Sequence, residues 1–411
     1  MFKFKKEKTK RLILRKLSFV AFLCSSVIVF GQNQKKHLSV QLAESVMYNN
    51  PNAWMTDFQQ KPVWGYVQGL VSLSLQEVSK EKNNPKYFDY VKNTYADVLI
   101  NDKGGIDGYR LESFKLDDVN SGKILFSLYE KTKDERYRIA IETLHQQLKK
   151  QPRIDQGAFW HKKIYINQVW LDGLYMGLPF YAQYAATFKA PEAFDDIASQ
   201  LLTVDKYLKD SKTGLYYHGW DASKTVYWAD PKTGLSQNFW GRGVGWVYMA
   251  LIDVLEYLPK NHKDRKAVEV MFQNLTDALV KVQDPSTGVW FQVLNYPKRE
   301  GNYREATASA MFVYGLAKGI QLEVLNKKYL KHLKKAYSGF RKEFIKIDTN
   351  KQIEITSCCA GAGLGPADNL VRNGTYDYYI HEAVRSNDGK AIGPFIMACL
   401  MLEKHPQWAV L

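Results

Sequence analysis

Two segments, Val169–Tyr184 (VWLDGLYMGLPFYAQY) and Gly243–Leu258 (GVGWVYMALIDVLEYL), have helical spacing yet are apolar nearly all the way round. A helix without a polar face must be enclosed on every side, whereas one with a polar stripe lies at a surface. Asp134–Lys150 and Tyr329–Lys346 are of the second kind. Enclosed and amphipathic helices in one chain predict two concentric layers, an inner set packed inside an outer set.

Helical patterns are expected over 64–80, 86–100, 120–131, 134–150, 167–187, 192–209, 241–257, 265–282, 306–323, 327–347 and 390–404. Strand-like alternation is confined to short stretches such as Gly214–Trp220 and Gly288–Val293. A D-x-x-T-G-x-aromatic pattern occurs at Asp210 and again at Asp284, each time after a polar helix and before an enclosed one. Helix pairs repeating every ~50–70 residues give about six pairs, which stack as an open solenoid or close into a ring. Aromatic-rich loops leading into the enclosed helices favour a closed ring with a cleft at one end. The fold expected is all-α, an (α/α)6 barrel forming a single domain over 32–411.

Residues 1–31 are set apart. Lys3, Lys5, Lys6, Lys8, Lys10, Arg11, Arg15 and Lys16 precede an apolar run from Leu17 to Phe30, and Val29 and Gly31 are small enough for a cleavage site. This is the layout of a secretory signal peptide, with a run short for a membrane span. Export to the periplasm is expected, with no membrane span after cleavage; secretion and a retained anchor are the alternatives. Residues 1–31 hold eight Lys or Arg and one Glu, so without them the net charge falls from +15 to +8. The remaining basic residues are scattered, often in pairs such as Lys149-Lys150, instead of forming the patch a nucleic-acid binder needs. A moderately basic chain suits an anionic small substrate. Cys358, Cys359 and Cys399 are odd in number and lack zinc spacing. No metal or other cofactor is expected.

The segment richest in chemistry is Gln168-Val-Trp-Leu-Asp172-Gly-Leu-Tyr-Met176. A carboxylate inside an apolar stretch is costly unless paired, solvated or protonated. Burial raises its pKa toward neutrality, where it could both give and take a proton. Asp172 is therefore either a catalytic acid/base or a helix N-cap. Asp117 and Asp118, in Leu116-Asp-Asp-Val-Asn120, read as caps or partners of a helix dipole on the same grounds. Aromatic and basic groups gather at Phe159-Trp-His161-Lys162, Tyr216-Tyr-His218-Gly-Trp220 and Phe239-Trp240-Gly-Arg242-Gly-Val-Gly-Trp246. Such faces stack on sugar rings, and Arg grips carboxylates bidentately. The G-x-G-x-G run lacks the preceding strand of a dinucleotide site. Met176, one helical turn after Asp172, is either a wall of the same cleft or core.

These residues resemble a known family. The motifs Trp64-Gly-Tyr66-Val-Gln-Gly69, Asn101-Asp-Lys-Gly104, Leu116–Lys123, Trp170–Met176, Trp240–Trp246, Glu305-Ala-Thr-Ala-Ser309, Gly374–Tyr379 and Ile392-Gly-Pro-Phe395 follow the order seen in unsaturated rhamnogalacturonyl hydrolases. These form glycoside hydrolase family 105, related to the unsaturated glucuronyl hydrolases of family 88. The resemblance implies an (α/α)6 barrel with Asp172 as general acid/base and Asp117, preferred over Asp118 by its spacing, as a second carboxylate that raises the pKa of Asp172. It places Trp64, Tyr66, His161, Lys162, Met176, His218, Trp240, Arg242 and Trp246 at the substrate. The implied substrate is an oligosaccharide ending in a 4,5-unsaturated uronic acid, left by a polysaccharide lyase. The implied reaction is hydration of that double bond. Two alternatives stand beside it: a helical-barrel sugar epimerase using a His161/His218 pair, and a non-catalytic glycan-binding protein.

Overall fold

Six inner helices account for the enclosed segments: Tyr66–Glu81, the broken pair Leu116–Asn120 and Lys123–Thr132, Leu171–Phe188, Gly241–Tyr257, Ala306–Gln321 and Gly389–Lys404. In this computed structural model, which describes residues 37–409, each packs on the next in chain order and the last returns to the first. Every residue from Gly241 to Leu255 and from Ala306 to Ile320 is buried, as an all-round apolar helix requires. The leader expected over residues 1–31 lies outside the described residues.

Amphipathic helices form the outer layer: Glu135–Lys150, Ala193–Leu208, Arg265–Lys281, Leu330–Phe344, and Pro85–Val91 continued through a π turn at Lys92–Ala96. Leu330–Phe344 shows why it lies outside, burying Leu333, Ala336, Tyr337, Phe340 and Phe344 along one stripe. Each of these packs on the inner helix that precedes it. One further outer helix, Leu38–Asn49, precedes the first inner helix and packs on the sixth, Gly389–Lys404. There the Ser39 N–H and hydroxyl donate to the Glu403 carboxylate at 2.9 and 2.6 Å. The architecture is the expected (α/α)6 barrel.

Several details differ from the sequence expectation, among them two further antiparallel strand pairs, Ile345–Ile347 with Ile353–Ile355 and Cys358–Cys359 with Val384–Arg385. Leu38–Asn49 and Tyr376–His381 are additional helices. The helix expected over 120–131 is interrupted at Ser121-Gly122, where Gly69 approaches so closely that a Cβ on it would lie 2.5 Å from the Ser121 Cα. Of Gly214–Trp220, only the end is strand: Gly219–Asp221 pairs antiparallel with Gln168–Trp170. Gly288–Val293 makes only isolated bridges, Phe291 to Arg304 and Val293 to Trp240.

The D-x-x-T-G pattern is a turn, and it occurs three times. At Asp210, Asp230 and Asp284 the threonine three residues on donates its hydroxyl to the aspartate, at 2.7, 3.0 and 2.7 Å. The following glycine has φ of +75°, +81° and +86°, a conformation that favours glycine. These turns reverse the chain in the loops that lead into the Gly241 and Ala306 inner helices. All inner helices run in one sense, so their N-termini share one end of the barrel.

Candidate active site

A repeated backbone device frames that end. The first N–H of an inner helix donates to a carbonyl in the loop of the following repeat: Leu116 to His161 (3.2 Å), Leu171 to His218 (3.0 Å), Gly241 to Gln292 (2.8 Å) and Ala306 to Ser357 (3.0 Å). These bonds satisfy donors that a helix N-terminus otherwise leaves open. They also set the side chain of the capping residue beside the second residue of the helix. At two positions this juxtaposes a histidine and an aspartate.

In the first pair, His161 Nε2 lies 3.6 Å from Asp117 Oδ1, and Lys162 Nζ sits 2.8 Å from the other carboxylate oxygen. Burial pushes the Asp117 carboxyl up, but Lys162, His161 and Lys115 more than offset it and hold it far below the ordinary range. His161 is pushed down to about 4, chiefly by burial. Its Nδ1 is buried with no hydrogen-bond partner. Asp118 faces away and pairs with Lys115 at 3.0 Å, while its carbonyl accepts from Trp64 Nε1 at 2.8 Å. Asp117 is thus the member of the acidic doublet that meets the histidine.

In the second pair, His218 Nε2 lies 3.0 Å from Asp172 Oδ2, and Nδ1 lies 2.7 Å from the Tyr379 hydroxyl. The N-cap of this helix is Trp170, without a side-chain cap bond, so Asp172 is not capping the helix. Its direction of titration corrects the sequence expectation. Burial does push the carboxyl up, yet the His218 hydrogen bond, with the fields of His218, His161 and Arg242, leaves it below the ordinary value. Asp117, clamped by Lys162, is not what governs it.

Trp170 stands between the two histidines, stacked on His161 at 4.7 Å and edge-on to His218 at 5.7 Å. Arg242, at the second position of its helix, is buried with its guanidinium 4.6 Å from the Trp240 ring. It donates to the Cys359 carbonyl, and its Nε is buried without a partner. Trp240 lies against His218 at 4.6 Å. Tyr66 is half-buried, in the fields of Arg242 and Asp117, and meets Trp246 edge-on at 6.2 Å.

Solvent reaches this cluster mainly at Lys162, Asp172 and Asp117, whose side chains are 22%, 15% and 10% exposed. Met176 and Trp246 are core residues, each four positions deeper than Asp172 and Arg242, with Trp246 stacked on Tyr175 at 5.0 Å. Trp64 stacks on Tyr95 and braces the Asp118 carbonyl, offering no open face. Sequence reasoning assigned no role to Tyr379 or Trp170, although both lie inside motifs already singled out. Among the described residues one His/Asp group has metal-ligand spacing, Asp195, His262 and Asp264, on an outer surface where Lys263 holds Asp195 at 2.7 Å.

Residues 38–405 match the model of Glycosyl Hydrolase Family 88. A solved C. acetobutylicum glycoside hydrolase of family 105 is 43% identical, covering 90% of this chain and 100% of that one, with a TM-score of 0.85. Protein Atu3128 of Agrobacterium fabrum is 36% identical over 227 residues, 54% of this chain and 96% of its own. Unsaturated rhamnogalacturonyl hydrolase YesR of Bacillus subtilis is 26% identical over 288 residues, 69% of this chain and 76% of its own.

Proposed function

This chain belongs to glycoside hydrolase family 105, related to family 88, and on that premise we propose that it removes a terminal 4,5-unsaturated uronic acid from rhamnose-containing oligosaccharides. The observation that carries the proposal is the Asp172–His218–Tyr379 chain beside a second aspartate clamped by a lysine.

The double bond between C4 and C5 is a vinyl ether conjugated to a carboxylate. Asp172, as the acid, gives its proton to C4, and positive charge develops at C5 and the ring oxygen. Water adds at C5 and gives a proton back to Asp172. The resulting hemiketal opens and releases the remaining sugar. One residue serves as acid and then base because it has just lost the proton it must regain. No glycosyl-enzyme bond is needed, unlike the two-carboxylate displacement of retaining glycosidases.

Asp172 must be protonated in the complex although positive neighbours depress it in the free site. The substrate supplies the correction. Its own carboxylate, drawn toward the positive side chains around Asp172, cancels part of their field and repels a second negative charge nearby. Asp117 stays ionised under Lys162 and is placed to accept hydrogen bonds from sugar hydroxyls. We further propose export to the periplasm, from the pattern of residues 1–31, and rhamnogalacturonan fragments as substrate, in line with the Bacillus relative, an unsaturated rhamnogalacturonyl hydrolase.

The test is Asp172→Asn against a panel of lyase digests, following loss of the double bond's ultraviolet absorbance. The variant should lose about 10³-fold or more in kcat. Wild-type turnover is expected on rhamnogalacturonan digests. Turnover confined to ulvan-type fragments would overturn the substrate, and an active Asp172→Asn would overturn the mechanism. Binding without turnover by the wild type would favour a glycan-binding protein.

A further inference from the structure

His218 cannot move. Its ring is fully buried, with Trp240 at 4.6 Å and Trp170 at 5.7 Å, and even a Cβ on Gly243 would come within 3.3 Å of its Cδ2. Only its protons can change place, and each ring nitrogen has one partner: Asp172 on Nε2 and the Tyr379 hydroxyl on Nδ1. A carboxylate only accepts, and a neutral imidazole presents one donor and one acceptor; a phenol can do either. Burial keeps the Tyr379 phenol protonated, far above its ordinary range. Its ring stacks on Trp240 at 5.9 Å, and its backbone carbonyl accepts from Gln292 Nε2 at 3.0 Å, so the hydroxyl is fixed in position.

Two proton counts follow for the three groups. With two protons, Asp172 is a carboxylate, His218 donates to it from Nε2, and Nδ1 accepts from the Tyr379 hydroxyl. With three protons, the third lying between Asp172 Oδ2 and His218 Nε2, Nδ1 carries a proton and donates to the Tyr379 oxygen. The proton shared across the 3.0 Å bond then sits on Asp172 as the acid or on Nε2. Protonation of C4 takes the group from three protons to two, and the proton from the attacking water restores the third. Both counts keep every buried nitrogen hydrogen-bonded only if the partner of Nδ1 can reverse its direction.

We propose that Tyr379 is a positioning residue whose hydroxyl reverses its hydrogen bond to His218 Nδ1, from donor to acceptor, each time Asp172 gains its proton. This rests on Asp172 being the acid/base of the proposed reaction. Removing the hydroxyl leaves Nδ1–H of the three-proton form without an acceptor, in a site closed to water. The acid form is then the one disfavoured, so it is lost at lower pH.

Tyr379→Phe keeps the ring and its stacking. Its kcat should fall about 10- to 100-fold with KM changed less than about threefold, as expected when a transition-state proton transfer is impaired. The falling basic limb of kcat should move about one pH unit or more toward acid. Tyr378→Phe, which loses contacts to the Gly363 N–H and Glu382 and none to His218, should leave the limb in place. Nitrogen NMR of the His218 ring without substrate, identified by its loss in His218→Gln, supplies a readout apart from activity. In the wild type the Nδ1 signal should be that of a hydrogen-bonded nitrogen, and it should shift in Tyr379→Phe, where the hydroxyl is gone. An unchanged basic limb and an unchanged ring spectrum in Tyr379→Phe would overturn the proposal while an inactive Asp172→Asn left the reaction standing. An active Asp172→Asn would instead remove the reaction from under it, whatever the ring spectrum.

Discussion

The two aspartate–histidine pairs are built on the same frame and differ in one neighbour each. In both, the aspartate is the second residue of an inner helix and the histidine's carbonyl caps that helix. Asp117 has Lys162 on its second oxygen, and the far nitrogen of His161 touches no hydrogen-bond partner. Asp172 has no lysine, and the far nitrogen of His218 meets a hydroxyl. A lysine fixes a charge, whereas a hydroxyl lets a proton relocate. Repeated backbone geometry thus yields a static anion in one repeat and an acid/base in the next.

The histidines should separate the pairs most sharply. His218→Gln retains a donor toward Asp172 but cannot take a proton at the second nitrogen, and kcat measured by ultraviolet absorbance should drop about 10²- to 10³-fold. His161 is already neutral at working pH, so His161→Gln should cost less than about tenfold in the same assay. Equal losses would erase the distinction between the pairs.

Lys162→Met should show as stability. Asp117 titrates below its unfolded value in the native protein, so its contribution is present above the unfolded pKa and lost as pH falls through the folded one. Without Lys162 a buried carboxylate is left unpaired, at a cost of about 3 kcal/mol at pH 7. That deficit, measured by urea unfolding, should shrink as the pH is lowered through the carboxylate range. A deficit independent of pH would mean that Asp117 is not the ionised partner.

Two glycines give the finest test. A Cβ at Gly243 would lie 3.3 Å from His218, and one at Gly173 would lie 3.1 Å from His161. Each crowds one histidine by a few tenths of an ångström. Gly243→Ala should reduce kcat about threefold to tenfold through misplacement of the acid/base pair. Gly173→Ala should stay within about twofold, because His161 transfers no proton in the proposed reaction.

What the sequence disclosed follows from the range of the interactions. The enclosed helices at Leu171 and Gly241 were legible because their burial is written in their own residues, and Asp172 stood out as a charge in that setting. Leu38–Asn49 was not, since its partner is the far end of the chain and its own pattern is short. The break at Ser121 depends on Gly69, and nothing near Ser121 signals it. Tyr379 matters only through an atom of His218, 161 residues away. The lowered titration of Asp172 was missed for the same reason: burial is a local property, whereas the compensating charges arrive from three other segments. Asp230 makes the same turn as Asp210 and Asp284, but Ser236 stands where their pattern has an aromatic, so the pattern did not reach it.

The Leu38–Asn49 helix has a consequence for how the molecule is made. It covers the flank of Gly389–Lys404, the sixth inner helix in chain order among the described residues. Until that helix has left the ribosome, the first outer helix has nothing to cover, and the first and last inner helices each expose an apolar side. Five inner helices can pack without it, but the ring closes only once the sixth is in place. The nascent chain therefore presents its stickiest surfaces at both margins at once.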